Sequence, residues 1–307
     1  MAESAAALSL DATSFGDASA AGVGDYVELL KPRVMSLVVF SGLGGLVMAP
    51  GAIHPLLGFV AILCIAMSAG GSAAVNMWFD RDIDAIMMRT RYRPLPEGRI
   101  DPTTALEFGA TLIFVSVLLM GLAVNLVAAG LLAAAAAFYV FIYTMWLKRR
   151  TPWNIVIGGA AGAFPPVIGW AAVTGHVGWP ALVLFAIIFF WTPPHFWALA
   201  LYRNEDYRRA GVPMLPVLKG AQRTKLEMLI YTLLLLPLSL MPVAMGMSGI
   251  FYGVSAFALS IGFIVCSVRV LRDHGFTAAR QMFFFSLFYL SALFLCMIAE
   301  PLAARLV

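Results

Sequence analysis

The chain has 307 residues, of which 62% are apolar and 12% charged, with a formal net charge of +4. A soluble protein of this size covers itself with polar side chains, so the composition excludes a soluble globular protein, and equally a disordered chain or a fibrous repeat. Long continuous apolar runs, without alternation, exclude a membrane β-barrel and predict an all-α polytopic membrane protein.

Residues 1–30 come first, and their early part is Ala, Ser, Gly and Asp with almost no large apolar side chains. Such a segment buries too little to offset its ordering entropy, which predicts a disordered N-terminal tail ahead of one domain at 31–307. The tail lacks the apolar core of a secretory signal and the arginines of a transit peptide. Nine apolar runs follow, at 33–49, 55–79, 103–124, 126–147, 153–174, 178–202, 225–245, 249–271 and 280–303. Each is long enough to cross a bilayer as a helix. Gly158 and Gly162 offer a close helix approach in the fifth run, and Pro193 and Pro194 predict a bend in the sixth. Cys64, Cys266 and Cys296 sit inside apolar runs without metal-binding spacing and read as small hydrophobes.

Every Lys and Arg except Arg305 falls on one side of this arrangement. Lys31 and Arg33 precede the first span, Arg81 to Arg99 follow the second, Lys148 to Arg150 the fourth, Arg203 to Lys225 the sixth, and Arg269 to Arg280 the eighth. The positive-inside rule makes that side cytoplasmic, with the N-terminus inside and the C-terminus on the opposite side. Most acids outside the tail share that side, Glu300 excepted, so the chemistry is expected to face the cytoplasm.

The second span ends in Asn76-Met-Trp-Phe-Asp80-Arg-Asp82-Ile-Asp84. Residues four apart share a helix face, so Asn76, Asp80 and Asp84 form one stripe of hard oxygen ligands. Such ligands suit Mg²⁺, which keeps waters and binds carboxylates together with substrate phosphates. Five arginines lie within or after it, among them Arg89 and Arg93; carboxylates, Mg²⁺ and arginines together are how a diphosphate is held. Charges that merely mark the membrane interface would not need this clustering. The fourth span ends in Tyr143-Thr-Met-Trp-Leu-Lys148-Arg149-Arg150, where Lys148 is the better diphosphate candidate and Arg149 reads equally as a membrane anchor. The sixth ends in Trp191-Thr-Pro-Pro-His195-Phe-Trp197, continuing to Tyr202 and Asp206. At helical spacing His195, Tyr202 and Asp206 form a second stripe, with His195 about 10 Å deeper than Tyr202. Four spans separate the two motifs, which suggests a duplicated four-helix unit.

Asn-xxx-Asp-xxx-Asp at the end of a second membrane helix resembles the first signature of the UbiA superfamily of intramembrane prenyltransferases. The fuller run Asn76-MWF-Asp80-RDI-Asp84-AIMM-Arg89-Thr90-RY-Arg93-Pro94-Leu95 is similar to its haem O synthase branch. So are Tyr143-TMWL-Lys148-Arg149, the run Gly158 to Ala171, Trp191-TPPHFWAL, and Asp206-Tyr207-RRAGVPMLPV. These stretches spread over residues 76–218, and the nine spans match the family's architecture. The resemblance implies that Asn76, Asp80, Asp84 and Asp206 hold Mg²⁺ through a diphosphate. It departs from the usual second motif at Tyr202, where an acid is expected. Arg89, Arg93, Lys148 and Arg149 would bind diphosphate, and His195, Trp197 and Tyr143 would contact haem, although an interior hydrogen-bonded histidine explains His195 as well. The implied reaction joins the farnesyl group of farnesyl diphosphate to a vinyl group of protohaem IX (haem B) with addition of water. That makes haem a substrate and places the chain in the inner membrane. A haem A synthase or an oxidase assembly factor would be its protein partner, and nucleic acid would not bind. Trp78, Phe79, Tyr139, Tyr143 and Trp197 are candidates to stabilise cationic carbon. The alternative is a related prenyltransferase acting on an aromatic quinone precursor, which the Pro-Pro-His-Phe-Trp run disfavours.

Overall fold

The computed structural model describes residues 21–304, and within them every regular element is helical. The elements are α1 (Val23–Leu29), α2 (Pro32–Met48), α3 (Pro55–Phe79), α4 (Arg81–Ile86), α5 (Pro102–Ala123) and α6 (Leu126–Ala137). A π-helix (Phe138–Trp146) and a 3₁₀ turn (Leu147–Arg149) prolong α6. Then come α7 (Asn154–Thr174), α8 (Trp179–Tyr202), α9 (Asn204–Arg209), α10 (Leu215–Lys219), α11 (Ala221–Ala244), α12 (Ile250–Arg272) and α13 (Thr277–Ala304). Among the described residues eight helices are long and apolar enough to cross a membrane, and nine if α1 and α2, bent by 55°, count as one span. The expected spans coincide with these elements to within a few residues, and the protein is a multi-pass membrane protein.

Two expectations change. Residues 23–29, assigned to the tail, are helical, because Leu29 is fully buried among Ala74, Met77, Leu95, Ile100 and Ala105; residues 1–20 lie outside the described residues. The fourth span is not one α-helix but α, π and 3₁₀ in turn.

Helices α7 and α8 are the most buried and form the centre. One apolar core joins α8 to α11, α12 and α13; a second joins α3, α5, α6 and α7. Glycine permits the tightest crossing: a Cβ on Gly45 would overlap the Pro166 carbonyl, and one on Gly169 the Gly42 carbonyl, so α2 lies backbone to backbone on α7. Gly162 faces open space, so only Gly158 of the predicted pair makes a close approach, against the ring of Tyr143. Helix α8 runs on through Pro193 and Pro194.

Successive spans alternate in direction, so the two ends of the bundle differ. At one end Asn125 caps α6 and donates to the Ala171 carbonyl at 2.9 Å. Glu300, the acid isolated there, accepts from the amides of Gly249 (2.6 Å) and Tyr252 (2.9 Å) and caps α12. Among the described residues, the other charged side chains collect at the opposite end.

Candidate active site

Helix α3 delivers the first polar stripe. Asp80 ends it with φ −90° and ψ 7°, yet the Asp80 amide still donates to the Asn76 carbonyl (2.9 Å) and the Asp84 amide to the Asp80 carbonyl (2.8 Å). The i to i+4 pattern therefore crosses the break, and Asn76, Asp80 and Asp84 stay aligned as their spacing predicts. All three are buried.

Their partners come from elsewhere in the chain. Asn76 Nδ2 donates to Asp80 Oδ2 at 2.7 Å and to Thr144 Oγ1 at 3.1 Å. Lys31 Nζ donates to Asn76 Oδ1 at 2.8 Å. Lys148 pairs with Asp80 Oδ2, and Arg149 lies 3.6 Å from Asp80 Oδ1. Arg149 also grips both Asp82 oxygens, at 2.8 and 2.7 Å. That bidentate bond holds the Asp82 carboxyl below the usual carboxylate range. Arg93 pairs with Asp84 at 2.7 Å, and Thr90 donates to the Asp84 carbonyl at 3.0 Å. Arg89 is exposed beside this group. Three of the four cations assigned to a diphosphate, Arg93, Lys148 and Arg149, thus already face the acids assigned to its metal.

Thr144, Lys148 and Arg149 reach the acids from the π-helix and 3₁₀ turn that end the fourth span. Such widened turns are frequent at functional sites. On the same segment Tyr139 and Tyr143 lie 5.5 Å apart. Arg149 stacks over Phe79 at 4.7 Å, whereas Trp78 carries Arg81.

The second motif crosses a similar break. The chain kinks at Arg203 (φ −111°, ψ 19°), so Tyr202 ends α8 while Asp206 belongs to α9. The Arg203 amide still donates to the Leu199 carbonyl (3.1 Å) and the Tyr207 amide to the Arg203 carbonyl (3.4 Å), so the i to i+4 pattern crosses this break too, and His195 and Tyr202 both pack on Phe283. Asp206 is buried and accepts from Arg209 at 3.0 Å. Its neighbour Tyr207 shares an apolar cluster with Ile83, Met87, Val212 and Met214, with Tyr143 packed against it. That cluster brings α4 and α9, and so the two motifs, together as a cap on one end of the bundle.

His195 lies deeper. Its ring is sandwiched between Trp191 (4.4 Å) and Phe283 (4.7 Å), and Nδ1 is 2.6 Å from Ser286 Oγ. Ser286 gives its single proton to the Phe283 carbonyl at 2.6 Å. If that proton stays on the carbonyl, the oxygen accepts Nδ1–H and Nε2 carries the free lone pair. Trp197, two residues on, faces away: it is fully buried edge-on to Tyr231 of α11. It does not join the other candidates for haem contact, because a two-residue step crosses the helix.

Lys31, Thr144, Thr90 and Ser286 were missed in the sequence. Thr90 lay within the run that carries the resemblance without being given a role, and Lys31 left a signal as a cation directly before Pro32 and the first span.

A metal fits this site. Asp80 Oδ1 is buried without a hydrogen-bond partner, an oxygen suited to a hard cation. No three acidic, histidine or cysteine side chains converge among the described residues. Single carboxylates separately presented match a metal completed by substrate oxygens and water, rather than an all-protein cage.

A family model described as the UbiA prenyltransferase family matches residues 38–291. A protoheme IX farnesyltransferase of Acidiphilium cryptum is 59% identical over 291 residues, covering 92% of this chain and 92% of its own. Among solved structures, a digeranylgeranylglyceryl phosphate synthase superposes with a TM-score of 0.76 at 21% identity, covering 91% of this chain and 98% of its own. A UbiA homolog from Archaeoglobus fulgidus bound to GPP and Mg²⁺ superposes with a TM-score of 0.66 at 16% identity, over 89% of this chain and 99% of its own.

Proposed function

The chain belongs to the UbiA prenyltransferase family, and from that premise we propose that it transfers farnesyl from farnesyl diphosphate to a vinyl group of protohaem IX, with addition of water, giving haem O and diphosphate. Kinship to the Acidiphilium enzyme supports the substrate pair. The observation that carries the chemistry is the buried group of Asn76, Asp80 and Asp84 faced by Lys31, Arg93, Lys148 and Arg149.

Asp80 and Asp84, with Asp206 across the cap, would hold Mg²⁺ by their carboxylates, and the ion would bind the diphosphate. When bound, the ion neutralises charge that develops on the departing diphosphate. Lys148, Arg149, Arg93 and Arg89 take up the rest of that charge, and Asn76 and Tyr202 orient the group. The bond from farnesyl C1 to oxygen breaks and its electron pair leaves with the diphosphate. The vinyl π electrons form the new carbon–carbon bond, and water adds to the cation left beside the macrocycle and releases a proton. Tyr139 and Tyr143 line the path and present their π faces to cationic carbon. Apolar walls limit hydrolysis. His195, held between Trp191 and Phe283, faces haem.

The cap lies on the cytoplasmic side of an inner membrane, where the positive charges belong. Residues 31–307 are the catalytic domain, and a haem A synthase or oxidase assembly factor receives the product. Purified protein incubated with haem B, farnesyl diphosphate and Mg²⁺ is expected to yield a product with the mass of haem O. Unchanged haem in that assay, with prenylation of 4-hydroxybenzoate instead, overturns the substrate assignment.

A further inference from the structure

We propose that Arg99 is a positioning residue: it clamps helix α1 and through it holds Lys31 on the diphosphate end of the site. The inference rests on the reading of the site as a diphosphate site. Lys31 caps α2 with φ 52° and ψ 59°, and it has the only positive φ outside glycine among the described residues. A lysine gains nothing locally from this left-handed conformation, so the surrounding structure must impose it. The conformation sends Nζ to Asn76 Oδ1 at 2.8 Å.

Two anchors hold the segment that imposes it. Leu29, fully buried, fixes how deep α1 sits, and Gly70 leaves room for Leu30 beside it. Arg99 fixes the polar face. Its guanidinium pairs with Asp25 and with Glu28 Oε2 at 3.2 Å, two acids one helical turn apart on α1. It is itself oriented by Glu97 Oε2 and the Tyr92 carbonyl, both at 2.9 Å. A fork bound at both Asp25 and Glu28 resists rotation of α1 about its axis. The Leu30 amide donates to the Val27 carbonyl (3.2 Å) and the Lys31 amide to the Glu28 carbonyl (3.1 Å), so the chain from latch to Lys31 is a bonded turn without slack. Arg99 itself makes no contact with Asn76, Asp80 or Asp84; its effect on them passes through Lys31.

The test is a kinetic double-mutant cycle on the full-length protein, with R99A, R99K, K31M and R99A/K31M. R99A is expected to raise the KM for farnesyl diphosphate about fivefold, the scale of a partly exposed ion-pair group, with the KM for haem unchanged. K31M raises it more, R99K recovers part of the loss, and the double variant matches K31M alone, because Arg99 acts through Lys31. Should R99A fail to fold, D25N/E28Q opens the latch from the other side and is expected to act alike. Multiplying effects in the double variant, equal changes in both KM values, or no change overturn the proposal. Binding of inorganic diphosphate with Mg²⁺ is titrated in parallel. If the wild type makes no haem O but the cycle holds for diphosphate, the proposed reaction falls and the latch stands. If haem O forms and the cycle fails, the latch alone falls.

Discussion

Replacing Asp80 by Ala separates its two tasks. Asp80 is 1% exposed and has three partners: the Asn76 amide at 2.7 Å, Lys148, and Arg149 at 3.6 Å. Removing one side of a fully buried pair costs about 3–5 kcal/mol, because the other charge is left uncompensated. The Lys148 side chain retains 19% exposure, and water there reduces the cost to about 1–3 kcal/mol. The variant therefore inserts and folds with a lowered melting temperature. Turnover falls much further, by about 10² to 10³, the range found when one preorganised group facing transition-state charge is lost. Asp82→Ala is the internal control. It lies on the same α4 turn and binds the same Arg149, but its side chain is 60% exposed, so it contributes at most about 1 kcal/mol. The assay is haem O formation at saturating substrates by chromatography and mass, with melting in detergent measured alongside. Turnover of the Asp80 variant within tenfold of wild type, or no lower than that of the Asp82 variant, refutes the reasoning.

Stripping divalent metal with EDTA is expected to abolish turnover and added Mg²⁺ to restore it; activity that survives chelation removes the metal from the mechanism. Gly158→Ala places a methyl group 3.0 Å from Cγ at the root of the Tyr143 ring, where the ring cannot swing clear, and is expected to cost about 1–3 kcal/mol in melting experiments; an unchanged melting temperature would show that the π-helix yields. His195→Ala should weaken haem binding while leaving the titration with farnesyl diphosphate unchanged, and an unaltered haem titration makes His195 a packing residue only. Reporter fusions after Lys148 and after His176 are expected to lie on opposite sides of the membrane, with Lys148 cytoplasmic; matching signals contradict the topology.

Hydropathy made the spans legible because apolar length is the one property a bilayer demands of each of them. It did not show how the fourth span ends, since Phe138–Trp146 is as apolar in a π register as in an α register. The first acidic stripe was readable because its hydrogen bonds continue across the break at Asp80. The second was readable for the same reason, since bonds also continue across Arg203, but the division into α8 and α9 there is a backbone event that periodicity cannot register. Lys31 was visible only as one more positive charge, and its contact with Asn76 spans 45 residues. Trp197 had the composition of a haem contact, but helical phase turns it toward Tyr231. In each case local pattern found the element, and the missing information lay in what another helix brought to it.

The pairing of every site acid with a cation has a consequence for how substrate enters. Uncompensated carboxylates at this depth would be costly, and so would uncompensated lysines. Lys148 on Asp80, Arg93 on Asp84 and Arg209 on Asp206 offset those three acids, while Lys31 is bonded only to the neutral Asn76. A diphosphate arriving with a divalent metal carries little net charge of its own. It can therefore enter by exchange, carboxylates passing to the metal while the same cations pass to phosphate oxygens, with the charge balance kept. A bare diphosphate can draw on Lys31 and Arg89, but taking the paired cations as well would leave Asp80 and Asp84 without partners. Metal and diphosphate should accordingly bind cooperatively, each raising the affinity for the other by the same factor. Titrations of Mg²⁺ with and without inorganic diphosphate, and of diphosphate with and without Mg²⁺, measure both factors, and independent binding would show that the ion pairs do not exchange.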